Sequence, residues 1–168
     1  MGSTCKPIDG RLKLQFHDQI TLLNLLKSCQ KEKSILKVRK IHADLLKRYL
    51  ITKDVYIASA LITTYAKCGA MDKAKEVFEE LSVQDVITWT ALIRGYSELG
   101  LGDEVIDCYT QMQLDGISPD AVTMAYIIQS CGNLGVLQKV QEMHAEVTKK
   151  GYEQDSCVGN DLVQTYGK

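Results

Sequence analysis

Proline is almost missing from this sequence. Two occur in 168 residues, Pro7 and Pro119, so little stands in the way of long uninterrupted helices. No apolar run approaches the roughly 20 residues that cross a bilayer, so no membrane span is expected. The six cysteines, Cys5, Cys29, Cys68, Cys108, Cys131 and Cys157, lie far apart and form no C-x-x-C. That spacing excludes a compact zinc knuckle and predicts reduced thiols. The formal net charge is −1, so a partner of one charge sign is not selected by bulk electrostatics, and any basic surface must be local. Three histidines, His17, His42 and His144, lie far apart, and no Gly-rich phosphate loop follows a strand pattern. No catalytic arrangement, metal set or cofactor is expected. What the chain does have is 45% hydrophobic residues, enough for a packed core.

The chain also repeats itself. A shift of 31 residues lays Ala60-Leu61-Ile62 on Ala91-Leu92-Ile93, Tyr65 on Tyr96, Gly69 on Gly100 and Asp54 on Asp85. A shift of 102 lays Ser28-Cys29 on Ser130-Cys131 and His42-Ala43 on His144-Ala145. A shift of 101 lays Leu61, Thr64, Tyr65 and Lys67 on Leu162, Thr165, Tyr166 and Lys168. These shifts divide the chain into units 19–54, 55–85, 86–120 and 121–155, with a fifth begun at 156–168. Residues 1–18 match no full unit and are read as a leader.

Each unit reads as two helices. In 86–120, Ile87, Trp89, Leu92, Ile93 and Tyr96 recur at helical spacing, with Trp89 expected in the core. Asp85 precedes them as a potential cap, and Gly100 and Gly102 mark the turn. Val105, Ile106, Tyr109 and Met112 then form a second face, which ends near Gly116 and Pro119. The same reading predicts helices at 56–67 and 72–81, and at 122–130 and 137–149. Ala43, Ala60, Ala74, Ala91 and Ala145 are read as contacts that let helix axes approach. A two-helix unit cannot bury its apolar side alone, so stacking is required. The predicted fold class is all-α: a right-handed α–α superhelix, or α-solenoid, of about four complete helix-hairpin repeats plus a partial one.

The stretch Val86–Asp120 resembles a pentatricopeptide repeat. The residues that carry the resemblance are Val86, Trp89, Thr90, Leu92 and Ile93 at its start, and Met112, Gly116, Pro119 and Asp120 at its end. Unit 55–85 is similar to the short variant of plant proteins, and units 19–54 and 121–155 to the long variant. The order long, short, medium, long, short is similar to the plant subclass that alternates three repeat types (the medium unit being its P-type, the last unit a truncated S-type).

The resemblance implies a function: modular, sequence-specific binding of single-stranded RNA by part of an organellar RNA-processing factor in a mitochondrion or chloroplast. Recognition of cytidine-to-uridine editing sites is the form it favours. The editing chemistry in such proteins comes from a separate deaminase domain or a partner in the editing complex, marked by zinc-ligand and glutamate motifs H-x-E and C-x-x-C, and no C-x-x-C occurs here. This chain is expected to read and not to catalyse. In the family, the fifth residue of the first helix and the last residue of the repeat meet the base edge. Carried over, these are Ser59 with Asp85, Thr90 with Asp120, and Asn160 with a partner beyond Lys168. A hydroxyl with an aspartate resembles a guanine preference. The second residue packs on the base, which here means Tyr56, Ile87 and Val122. The long units pair Leu23 with Asp54 and Ala125 with Asp155, where neither Leu23 nor Ala125 can hydrogen-bond through its side chain. Those units are expected to space or support.

Several readings stay open on the residues alone. Asp54, Asp85, Asp120 and Asp155 all precede a predicted helix and can be simple caps. Cys29 with His42 and Cys131 with His144 bring two ligands each, too few for structural zinc, so packing is the expectation. Lys31, Lys33, Lys37, Arg39, Lys40, Lys47 and Arg48 are a solvated face or a phosphate track. A protein-binding scaffold is the alternative function, and it would expose a broad apolar patch on the concave face. Because the chain stops inside a first helix, it reads as a fragment whose next unit is missing.

Overall fold

The computed structural model describes residues 19–47, 51 and 54–167. The expected leader, Arg48 and Lys168 lie outside the described residues. Those described form nine α-helices, one 3-10 turn at Tyr152–Gln154 and no strand. In chain order the helices are α1 Gln19–Glu32, α2 Ile35–Lys47, α3 Val55–Lys67, α4 Met71–Glu79, α5 Val86–Glu98, α6 Gly102–Leu114, α7 Ala121–Leu134, α8 Leu137–Lys150 and α9 Ser156–Tyr166.

Each hairpin is punctuated by the same chemistry. An aspartate side chain caps α3, α5, α7 and α9: Asp54 accepts from Tyr56 and Ile57, Asp85 from Thr88, Asp120 from Thr123 and Asp155 from Cys157. At the hairpin turn of unit 86–120, Gly100 takes a φ of 73°, and the Leu101 N–H closes on the Tyr96 carbonyl at 3.0 Å. This left-handed closure suits a residue without a β-carbon. In the first hairpin the corresponding residue is Lys33, the one non-glycine with positive φ among the described residues, at 47°.

The helices form two layers. α1, α3, α5, α7 and α9 pack successively on one another, while α2, α4, α6 and α8 each pack on the odd helices beside them. Closer spacing in the odd layer places the concave side there. Buried side chains from both layers make one continuous core, including Leu22, Leu61, Ile93, Tyr109 and Ile127. Trp89 lies in that core, its ring 4.4 Å from that of Phe78 in an edge-on arrangement. The predicted all-α superhelix of stacked hairpins is the observed fold.

Details differ from the sequence reading. Gly102 is not part of the turn: it opens α6 and is buried, and a β-carbon there would lie 2.7 Å from Leu134 Cγ. Leu81 falls outside α4, and α7 runs on to Leu134 because its apolar face continues through Cys131. Ala74 and Ala91 are buried as expected, but Ala43 and Ala145 are exposed. In the outer layer a small residue can face water as readily as a neighbour.

Candidate nucleic-acid interface

The odd helices turn the same register positions toward the concave side. A groove of about 250 Å³ between α3, α5 and α7 is lined by Ser59, Thr63, Ile87, Thr90, Ala91, Arg94, Asp120 and Val122. Five of the residues expected to read or pack on a base thus meet in one place: Ser59, Ile87, Thr90, Asp120 and Val122. A neighbouring groove of about 380 Å³ adds Leu23, Lys27, Gln30, Tyr56 and Lys67, and shares Ser59, Thr63 and Arg94 with the first. Asp85 and Asn160 line neither groove. Asp85 is half-buried in its cap, and Asn160 is exposed on α9.

Apolar side chains stand in the first turn of each of these helices. Ile20 is 65% exposed, Tyr56 61% and Val122 49%, and Ile87 is half-buried. One such side chain per repeat is a row of separated platforms and not a broad apolar patch. Lys27, Lys67 and Arg94 line the same two grooves. The Arg94 guanidinium donates to Thr63 Oγ1 at 2.8 Å and lies 3.7 Å from the Glu98 carboxylate.

The reading pairs differ in their bonding. Ser59 bonds back to the Tyr56 carbonyl at 3.1 Å. Thr90 Oγ1 lies 2.5 Å from the Val86 carbonyl and 2.6 Å from Thr123 Oγ1. Thr123 in turn donates its backbone N–H and its hydroxyl to Asp120 Oδ1, at 2.8 and 2.7 Å. Both bonds fall on one carboxylate oxygen, so capping leaves Oδ2 of this exposed side chain available to a ligand. Asp85 is engaged by Thr88 in the same way, through N–H and hydroxyl, each at 3.0 Å.

The remaining motifs resolve into packing. His42 Nδ1 lies 3.1 Å from the Tyr65 hydroxyl, and His144 Nδ1 lies 3.3 Å from the Tyr166 hydroxyl. Both ring pairs have centroids 5.6 Å apart, so the repeat seen in the sequence is also a repeated contact. His144-Ala145-Glu146 spells H-x-E, yet Glu146 accepts from Tyr109 and pairs with Lys150 at 2.9 Å, and no cysteine pair supplies a metal set. Among the described residues no group of three or more His, Cys, Asp and Glu side chains is placed to hold a metal. Cys29, Cys68, Cys108, Cys131 and Cys157 are free thiols, and burial pushes Cys108 up to about 12. Of the basic stretch, Lys31, Lys33, Lys37, Arg39, Lys40 and Lys47 are exposed, and Lys37 pairs with Glu32.

A second cleft of about 550 Å³ opens on the even-helix side, where α4 and α6 stand apart over α5. Its floor is Phe78, Trp89, Leu92 and Tyr96, and its rim carries Glu79, Glu104, Asp107 and Asp115 against Lys75 alone. Four carboxylates around one ammonium would repel a phosphate chain. The concave groove is smaller but has the complementary chemistry.

The basic residues of the groove carry a spacing signal of their own. Lys27 and Arg94 each follow a fifth-position residue (Leu23 and Thr90) by four, and Lys67 follows Ser59 by eight, which places them on the same helix face. The signal was present in the spacing.

Comparison with known proteins agrees with this architecture. Residues 56–86 match the model of the PPR repeat, and residues 84–133 match that of the PPR repeat family. A chloroplastic pentatricopeptide repeat-containing protein of Arabidopsis thaliana is 31% identical over 90% of this chain and 24% of its own length. A mitochondrial one from the same plant is 33% identical over 90% of this chain and 25% of its own. The chain therefore spans about a quarter of the length of these relatives. The crystal structure of the pentatricopeptide repeat protein PPR10 from maize superposes with a TM-score of 0.69 at 21% identity, covering 89% of this chain and 22% of that one. PPR10 in complex with an 18-nt psaJ RNA element superposes with a TM-score of 0.72 at 22% identity, covering 88% and 22%. Hairpin geometry, repeat punctuation and matched sequence agree, and the chain belongs to the pentatricopeptide repeat family.

Proposed function

We propose that this chain is a reading segment for single-stranded RNA within a longer organellar RNA-processing factor. The observation that carries the proposal is the concave groove in which Thr90, Asp120, Ile87 and Val122 meet beside Arg94. Apolar platforms hold base faces, polar side chains meet base edges, and Lys27, Lys67 and Arg94 offset phosphate charge. An unpaired base is required, because in a duplex its Watson–Crick edge is occupied. Ser59 with Asp85 and Thr90 with Asp120 are the proposed reading pairs, each preferring guanine, and Asn160 is the start of a third. Units 19–54 and 121–155 act as long spacing repeats, unit 55–85 as a short one and unit 86–120 as a medium one. The location proposed is a chloroplast or mitochondrion, as in the names of the relatives. Within that class, recognition of a cytidine-to-uridine editing site, with the deaminase supplied from elsewhere, is the specific role proposed.

The alternative of a protein scaffold has less support. Exposed apolar side chains on this face are spaced one per repeat and separated by charged ones. Binding to a panel of single-stranded RNAs at low and moderate salt tests the proposal. Affinity that falls with salt and varies with sequence is expected. Binding to none of the panel would remove the RNA reading and leave the scaffold.

A further inference from the structure

Four aspartates cap the first helices of successive units, and two of them, Asp85 and Asp120, also accept from the hydroxyl of a threonine three residues on. After Asp85 and Asp120 the third residue on is a threonine, Thr88 and Thr123. After Asp54 and Asp155 it is apolar, Ile57 and Val158. The threonine thus follows the two aspartates proposed to read a base, and an apolar residue follows Asp54 and Asp155, the last residues of the two spacing units. Thr123 goes further and also reaches a fifth-position residue, Thr90, in α5 of the preceding unit.

Proton counting fixes what this chain of contacts does. Three contacts link the Val86 carbonyl, Thr90 Oγ1, Thr123 Oγ1 and Asp120 Oδ1, at 2.5, 2.6 and 2.7 Å in that order. Two hydroxyl protons serve them, and the carbonyl and carboxylate at the ends only accept. The carboxylate is the stronger acceptor, so Thr123 donates to Asp120. The Thr90 proton is left with two inward acceptors, the Val86 carbonyl and Thr123 Oγ1. Either choice points it away from the groove, so Thr90 and Asp120 both present lone pairs there.

We infer that Thr123 is a positioning residue for base selection, whose buried hydroxyl ties Thr90 to Asp120 and holds the pair as two acceptors facing one base. Thr123 is itself fully buried and does not line the groove. It acts by fixing the direction of two other groups. A pair of adjacent acceptors matches a base edge with two adjacent donors, the N1–H and N2–H₂ of guanine, and mismatches adenine, whose edge mixes donor and acceptor. Without Thr123 the Thr90 hydroxyl keeps one inward acceptor and can turn into the groove as a donor. Ser59 has no such tie, so the medium repeat is the stricter of the two readers. The inference rests on the RNA-reading proposal above.

The test uses the 168-residue chain, its Thr123→Val and Thr123→Ser variants, and uridine strands carrying one guanine, one adenine or neither. Ile57 and Val158 hold the equivalent site, so the fold accepts an apolar residue there. Thr123→Val is expected to lower the guanine-over-adenine ratio about fivefold while leaving the all-uridine strand unaffected, and Thr123→Ser to keep the ratio. An unchanged ratio in Thr123→Val, or equal weakening on all three strands, would overturn the inference. Failure of the unaltered chain to bind any strand would instead sink the RNA reading. The hydroxyl geometry is checked without RNA: a slowly exchanging Thr123 hydroxyl proton is expected by NMR in the unaltered chain, and a freely exchanging one contradicts the tie.

Discussion

Gly95 of α5 packs against Ala66 of α3 so closely that a β-carbon on Gly95 would lie 2.9 Å from Ala66 Cβ. The same β-carbon would meet the thioether of Met71 at 3.1 Å. Ala66 Cβ is fixed to its helix and cannot move aside. This contact sets the spacing of the two helices that carry Ser59 and Thr90, so packing and the groove are one geometric problem.

Gly95→Ala is therefore expected to destabilise the chain by about 1–3 kcal/mol through overpacking, despite the helix propensity that alanine adds. Gly102→Ala is the control. The three atoms nearest its β-carbon all belong to the side chain of Leu134, which is partly exposed and can swing away. Urea unfolding of both variants checks this, and equal stability would show that the α3–α5 contact tolerates expansion.

Lys33 offers the opposite sign. It adopts a left-handed backbone at φ 47°, where the unit 102 residues later has Gly135. A side chain in that region is strained. Lys33→Gly is expected to stabilise the first hairpin by about 0.5–1 kcal/mol, read as a rise in the urea midpoint at unchanged slope. A fall would mean that the Lys33 side chain contributes more than its backbone costs.

His42 gives the chain a pH dependence. Burial holds its pKa below the ordinary histidine value, against the opposing pull of Glu80 and Glu76 and with a small push from Lys73. The unfolded chain therefore takes up a proton more readily than the fold. The contribution is fully present above about pH 6.5 and is lost as pH falls from there through the lower folded value. Tyr65, which burial pushes up to about 12, stays protonated and can donate to Nδ1. Thermal unfolding between pH 7.5 and 5.5 should show a smaller acid loss in His42→Gln than in the unaltered chain. An identical loss in both would assign the acid sensitivity to carboxylates.

Much of this was legible in the sequence for a local reason. Helix caps and left-handed turns depend on one residue and its immediate neighbours, so Asp85, Asp120, Gly69 and Gly100 marked their places without tertiary information. The face of a helix that meets another helix is not local. Ala43 and Ala145 looked like contacts and face water, and Gly102 looked like a turn and packs on Leu134. The groove was half legible: Thr90, Asp120, Ile87 and Val122 come together, while Asp85 and Asn160 do not join them. The dense basic run from Lys31 to Lys47, a solvated face or a phosphate track on the sequence alone, lines neither groove: isolated cations at helical spacing, Lys27, Lys67 and Arg94, line them. The Thr90–Thr123 tie crosses a unit boundary and depends on an inter-helix distance that no sequence period contains.

The central claim is that RNA lies along the odd helices. Backbone amide shifts recorded by NMR during titration with a guanine-containing single strand test it most directly. The expected result is a continuous track through Tyr56, Ser59, Ile87, Thr90, Arg94 and Val122, with the cleft at Trp89, Glu104 and Asp107 unperturbed. Shifts concentrated in that acidic cleft, or scattered around the molecule, would contradict it.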